Sequence, residues 1–192
     1  LLLLGWERVR VAPGDTAFTP LDFEHYPWTH SLAAVLVWSV VATFVYAWLR
    51  KDRGGAIVVG MLVASHWLLD FITHRADLPL YPGDPRRIGL GLWRSVPATL
   101  LLESLLFLGG ILVYARATRA TDRTGRLAWW TLVAFLVVIH LANPFGPPPP
   151  SVAAVAWAGL AAWLIPFWAA WADRHRIVLP PETPAPRVAI ER

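Results

Sequence analysis

Two ionisable side chains, His66 and Asp70, interrupt an apolar run that is otherwise long enough to cross a lipid bilayer. An ionisable group inside such a run costs roughly 2.5 to 3.5 kcal/mol on insertion scales, so it faces a partner or a polar cavity. The four-residue spacing puts both groups on one helix face, about 6 Å apart along the axis, close enough to share one ion. Glu103 interrupts a later apolar run in the same way. A neutral imidazole and a carboxylate from one helix, completed by another imidazole and by Glu103, make a nitrogen and oxygen donor set suited to zinc or a similar divalent cation. An open coordination position would then serve hydrolysis, with Glu103 either a ligand or the general base. His74 extends the stripe, but it is about 12 Å of helix rise from His66, too far for both to hold one ion with Asp70.

The bland readings of the same residues stand beside these. His66 and Asp70 can be a hydrogen-bonded helix pair, and Glu103 can pair with Arg94 or a buried hydroxyl. His140 lies beside a Pro-rich terminus and reads as interfacial, and His175, between Arg174 and Arg176, reads as a solvated residue. Asp77, Asp84, Arg86 and Arg87 could orient a phosphate or headgroup, although a solvated external loop accounts for them as well. Trp28, Trp93, Trp129, Trp130 and Trp171 fall near the ends of apolar runs, where amphipathic rings anchor at the headgroup level.

The elements that must carry these groups are membrane spans. Of 192 residues, 56% are hydrophobic and 16% charged, against about 25% charged in an ordinary soluble domain. The charges sit in short clusters between apolar runs, which predicts an all-α, polytopic transmembrane helix bundle whose main partner is the lipid bilayer. Five complete spans are expected: Ser31–Leu49, a second run ending near Thr73, a third from Ser95 and Pro97 to Tyr114, a fourth over Leu127–Ala142, and a fifth over Ser151–Ala172 kinked at Pro166. A two-glycine turn at Gly54 and Gly55 would join the first two, and residues 74–94 read as an irregular external loop. The run Leu1–Leu4 is expected to be the outer end of a preceding, truncated helix. Residues 1–176 are thus read as one transmembrane domain, and 177–192 as a Pro-rich, disordered cytoplasmic tail.

With no cysteine, thiolate sites and disulfides are excluded. The net charge of +4 comes from Arg at helix ends, where it fits topology better than nucleic-acid binding. Nine basic residues flank the ends near residues 50, 120 and 175, against six on the opposite side, so the first set and the C-terminus are expected in the cytoplasm. That topology gathers five of the six His residues, including His25 and His30 at the mouth of the first span, toward the non-cytoplasmic side.

Two segments, His25-Tyr26-Pro27-Trp28-Thr29-His30-Ser31 and Ser65-His66 through Asp70 to His74, resemble a bacterial inner-membrane family grouped as metal-dependent hydrolases, LexA-regulated in some members. That family carries His-Arg-x-x-Thr-His-Ser and a later His-x-x-x-Asp. Here Tyr26 replaces the Arg, and Thr73-His74-Arg75 replaces the usual Pro and Gly. The resemblance implies a zinc-type hydrolase, distantly grouped with phospholipase C and nucleases, with His25, His30, His66 and Asp70 as metal ligands. The reading that results is an inner-membrane hydrolase with Asp70 and Glu103 as catalytic carboxylates, acting on a lipid-linked or periplasmic ester or phosphoester. The competing reading is a non-enzymatic permease or structural bundle in which His66, Asp70 and Glu103 form a polar relay or interhelical pairing.

Overall fold

The computed structural model describes residues 1–180. Along the chain, a ribbon of β1 (Arg8–Val11) and β2 (Leu21–His25) precedes the short helix α1 (Pro27–His30) and two long helices, α2 (Leu32–Arg50) and α3 (Arg53–Thr73). After a loop come α4 (Val96–Ala117), strand β3 (Thr118–Ala120), α5 (Arg123–Ala142), α6 (Val152–Ala161), α7 (Leu164–Arg174) and strand β4 (Arg176–Val178), which pairs with β3. Five segments are long and apolar enough to cross a membrane: α2, α3, α4, Arg123–Phe145, and Val152–Arg174, the last comprising α6 and α7. The fold is therefore the expected all-α transmembrane bundle, with two small two-stranded ribbons besides.

Local chemistry sets where these helices begin and break. The buried Ser31 caps α2 by accepting from the Ala34 N–H at 3.2 Å. Asp52 caps α3 by accepting from the Gly55 N–H. Gly54 and Gly55 thus lie inside the first turn of α3, and the chain reverses one step earlier, at Lys51 in the left-handed conformation with φ 58°. Ser95 and Pro97 start α4 as their types suggest. Helix α5 begins at Arg123 rather than Leu127, because Asp122 accepts from the Gly125 N–H at 2.7 Å and so caps an otherwise basic turn. The break between α6 and α7 falls at Ala162 and Trp163, one turn before Pro166, whose missing N–H cannot bond the carbonyl four residues back.

The chain divides into two compact units. The first comprises Leu1–Glu103 and Ile139–Ala162. In it α2 and α3 form an antiparallel hairpin packed closely around Gly60, whose carbonyl accepts from Ser39 Oγ at 2.7 Å and which leaves room only for the Thr43 hydroxyl. This hairpin sets the last turn of α3 beside the start of α2. Loop 74–94 is irregular but tightly folded over the end of α3. Leu90 N–H donates to Phe71 O, Gly91 N–H donates to His74 O, and Leu78 pairs with Ile88 across the loop. These bonds satisfy carbonyls that a helix C-terminus leaves open, and they bury Leu78, Asp84 and His74. At the N-terminus, Leu2–Leu4 form a single 3₁₀ turn.

Among the described residues, the second unit comprises Ser104–Val138 and residues 163–180. Trp168 Nε1 donates to Ala128 O, Tyr114 Oη donates to Asp173, and Arg176 stacks over the Tyr114 and Trp129 rings. His175, read from sequence as solvated, is partly exposed but also paired: it meets Asp122 Oδ2 at 2.7 Å and lies edge-on to Trp171. Ile177 and Val178, assigned by sequence to the tail, belong to β4. The remainder of the expected tail, residues 181–192, lies outside the described residues.

Candidate metal centre

Three side chains converge where α1, the start of α2 and the last turns of α3 meet. His30 ends α1, a one-turn helix opened by Pro27, and the capped start of α2 follows immediately at Ser31. His66 and Asp70 lie one turn apart near the end of α3, on the face their spacing predicts. One ligand atom from each of the three lies within 4.8 Å of the others, and among the described residues this is the only such group of three or more metal-ligand side chains. His66 Nε2 is 3.1 Å and His30 Nε2 3.8 Å from Asp70 Oδ2.

The decisive atom is Asp70 Oδ2. It is buried and receives no hydrogen bond; its near neighbour is the His66 Nε2, an ion-pair contact at 3.1 Å. A buried carboxylate oxygen without a hydrogen bond costs on the order of 1–3 kcal/mol or more, and a cation is the other way to offset that cost. Two imidazoles and one carboxylate are a donor set that zinc and other divalent transition metals accept, with coordination positions left open. Zinc donors at about 2.0–2.1 Å from the metal stand roughly 3.3 Å apart, so the cluster, with its donor atoms within 4.8 Å of one another, fits once its widest separation closes by up to about 1.5 Å. Burial, aided by the neighbouring His66 and His74, pushes His30 down to about 3, which keeps its imidazole neutral and able to ligate.

Around this centre lies a shell of aromatic and acidic groups. The buried His74, just beyond α3, has Nδ1 3.0 Å from Asp77 Oδ1, and its ring packs on Trp93, Phe23 and His30. Tyr26 Oη donates to the same Asp77 oxygen at 2.8 Å. Burial and the Asp77 carboxylate push the Tyr26 phenol well up, so it stays a donor. Arg75 bridges Asp15, Asp22 and Asp77, and Arg10 joins Asp22 to Glu24, tying the β1–β2 ribbon to the loop after α3. Thr29 Oγ1 sits 2.6 Å from His30 Nδ1 and 2.8 Å from Oε1 of the buried Glu7, which also accepts the Trp28 and Thr29 backbone N–H groups.

The other sequence candidates stand elsewhere. His25 ends β2 opposite Arg8 and lines another pocket, of about 220 Å³, with Tyr26, Asp77, Asp84 and Arg87. Glu103 pairs with His140 rather than with Arg94: its Oε2 is 3.3 Å from His140 Nδ1, so His140 is a paired residue as well. Asp84 is engaged by the Arg86 backbone and guanidinium and shapes its own turn. Glu7 has no sequence signature, since a lone acid before a strand is unremarkable until the fold brings it to the start of α1.

Residues 8–145, which include every residue of this centre, match the family model of the YdjM inner membrane protein. The chain belongs to that family. The five spans and this membership together make it an integral inner-membrane protein. No curated protein and no solved structure matches the chain. The YdjM match ends at Phe145, so α6 and α7 lie beyond the matched residues.

Proposed function

We propose that this YdjM family member is a membrane-embedded, divalent-metal-dependent hydrolase. The observation that carries the reading is the convergence of His30, His66 and the hydrogen-bond-free Asp70 Oδ2 on one point at the end of a span. These three would hold the ion, with zinc the metal their donor types favour. The resemblance also includes His25, which would have to leave its own pocket to join them. When bound, the ion supplies Lewis-acid polarisation of a carbonyl or phosphoryl oxygen. Asp70 contributes the charge that holds the cation. Glu103, paired with His140 away from these three side chains, would likewise have to approach the centre to take a proton from the attacking water.

The excess of Arg and Lys at the ends near residues 50, 120 and 175 supports a cytoplasmic C-terminus and a metal centre on the opposite, periplasmic side. An open apolar groove between the exposed side chains of Leu1, Trp6, Trp28 and Trp38 lies two residues along α1 from His30. It supports a lipid-linked ester or phosphoester as substrate, with the apolar part along the groove and the scissile group at the centre.

One observation favours a second reading. The Glu103–His140 pair joins α4 to α5 inside the apolar zone, as a polar relay or interhelical pairing in a non-enzymatic bundle would. Purified protein in lipid vesicles separates the two. Hydrolysis of short-chain ester and phosphoester lipids should vanish on chelation and return with zinc, and should fall at least 100-fold in His66→Ala. Solute uptake that ignores chelators and is lost in Glu103→Gln would instead establish the relay.

A further inference from the structure

We infer that Glu7 and Thr29 fix the proton position on His30, holding it as the Nδ1–H tautomer with the Nε2 lone pair turned toward Asp70 and His66. Glu7 Oε1 gathers three donors, the Trp28 N–H at 3.1 Å, the Thr29 N–H at 2.9 Å and the Thr29 hydroxyl at 2.8 Å. A carboxylate accepts and does not donate, so the single Thr29 hydroxyl proton lies on the Glu7 side. The same Oγ1 is 2.6 Å from His30 Nδ1. With its proton committed, Oγ1 can only accept there, and Nδ1 must carry the ring proton. Nε2 is then bare and faces Asp70 Oδ2 at 3.8 Å. Two lone pairs oppose each other with no proton between them, a geometry that repels unless a cation sits there.

The inference rests on the metal-centre reading for its purpose but not for its geometry. It names Glu7 and Thr29 as positioning residues. Glu7 immediately precedes β1, so the N-terminal ribbon reaches the centre through this chain of bonds. An outer hydrogen bond of this kind orients the ligand ring and raises its basicity, and its loss typically lowers metal affinity about 10–100-fold.

The test is nitrogen NMR of ¹⁵N-histidine-labelled, metal-free protein in bilayers, with His30 assigned by its absence in His30→Gln, beside zinc titrations of the same samples. Wild type and Thr29→Ser should show the Nδ1–H tautomer. Thr29→Val should lose it and bind zinc about 10–100-fold more weakly, while Thr29→Ser stays within about threefold of wild type. Glu7→Ala frees the hydroxyl proton to turn toward Nδ1, so the tautomer should move to Nε2–H, a change that fraying of α1 alone would not produce. An Nε2–H tautomer in wild type, or unchanged tautomer and affinity in Thr29→Val, overturns the inference. Wild type showing the Nδ1–H tautomer but taking up no zinc sinks the metal reading and leaves the inference standing.

Discussion

Asp70→Ala is expected to lower zinc affinity by more than the roughly 10–100-fold that loss of an outer-shell partner costs, because it removes the charged donor from a three-donor set. Asp70→Asn keeps the shape but not the charge and should lose nearly as much. The same substitutions should leave the metal-free protein no less stable, and Asp70→Asn should raise its melting temperature. The reason is the unsatisfied Oδ2: a charged carboxylate inside a span costs roughly 2.5–3.5 kcal/mol at insertion, and here no hydrogen bond reaches that oxygen. Calorimetric zinc titration and thermal melts in detergent read the two effects separately. Weaker binding with a higher melting temperature marks a residue retained for ligation. A lower melting temperature with no change in binding would mean that His66 and Asp70 are a structural pair.

The second large effect is expected at Gly89. Its φ of +155° is a backbone region that L side chains rarely adopt, and an added Cβ would fall within the carbonyl oxygens of Arg75 and His74. Those atoms belong to the turn that caps α3, where His74 O accepts from Gly91 N–H and the His74 side chain supports the aromatic shell of His30. Backbone strain of this kind costs about 1–3 kcal/mol, and overlap with main-chain atoms that cannot rotate away adds to it. Gly89→Ala should therefore melt well below wild type and weaken zinc binding by displacing the loop. Gly83→Ala is the control, since Gly83 also has a positive φ, of 87°, but meets nothing within 4 Å. Equal melting temperatures for the two variants would show that the loop does not press on the end of α3.

What could be read in the sequence and what could not follow from the range of the interactions. Spans announce themselves through composition over about 20 residues, and their caps through single residue types, so Ser31, Ser95 and Pro97 were legible. Asp52 and Asp122 overrode the expected starts because a carboxylate three residues before a glycine N–H caps a turn whatever follows it. The His66 and Asp70 face was legible because helix periodicity fixes it. Adding His30 required the α2–α3 hairpin to close around Gly60, and the four-residue α1 to turn the ring inward, neither of which is encoded locally. His25, five residues earlier, is carried into another pocket by its place in β2. The Glu103–His140 and Asp122–His175 pairs join residues far apart in sequence, and no spacing rule anticipates them.

The central claim is tested most directly by X-ray absorption spectroscopy on the purified, zinc-equilibrated protein together with its metal stoichiometry. The account predicts about one zinc per chain, with two imidazole nitrogens at about 2.0–2.1 Å and a carboxylate oxygen in the first shell. The imidazole signal should weaken when His30 or His66 is replaced. A chain that retains no zinc, or whose bound zinc shows no imidazole, would contradict it.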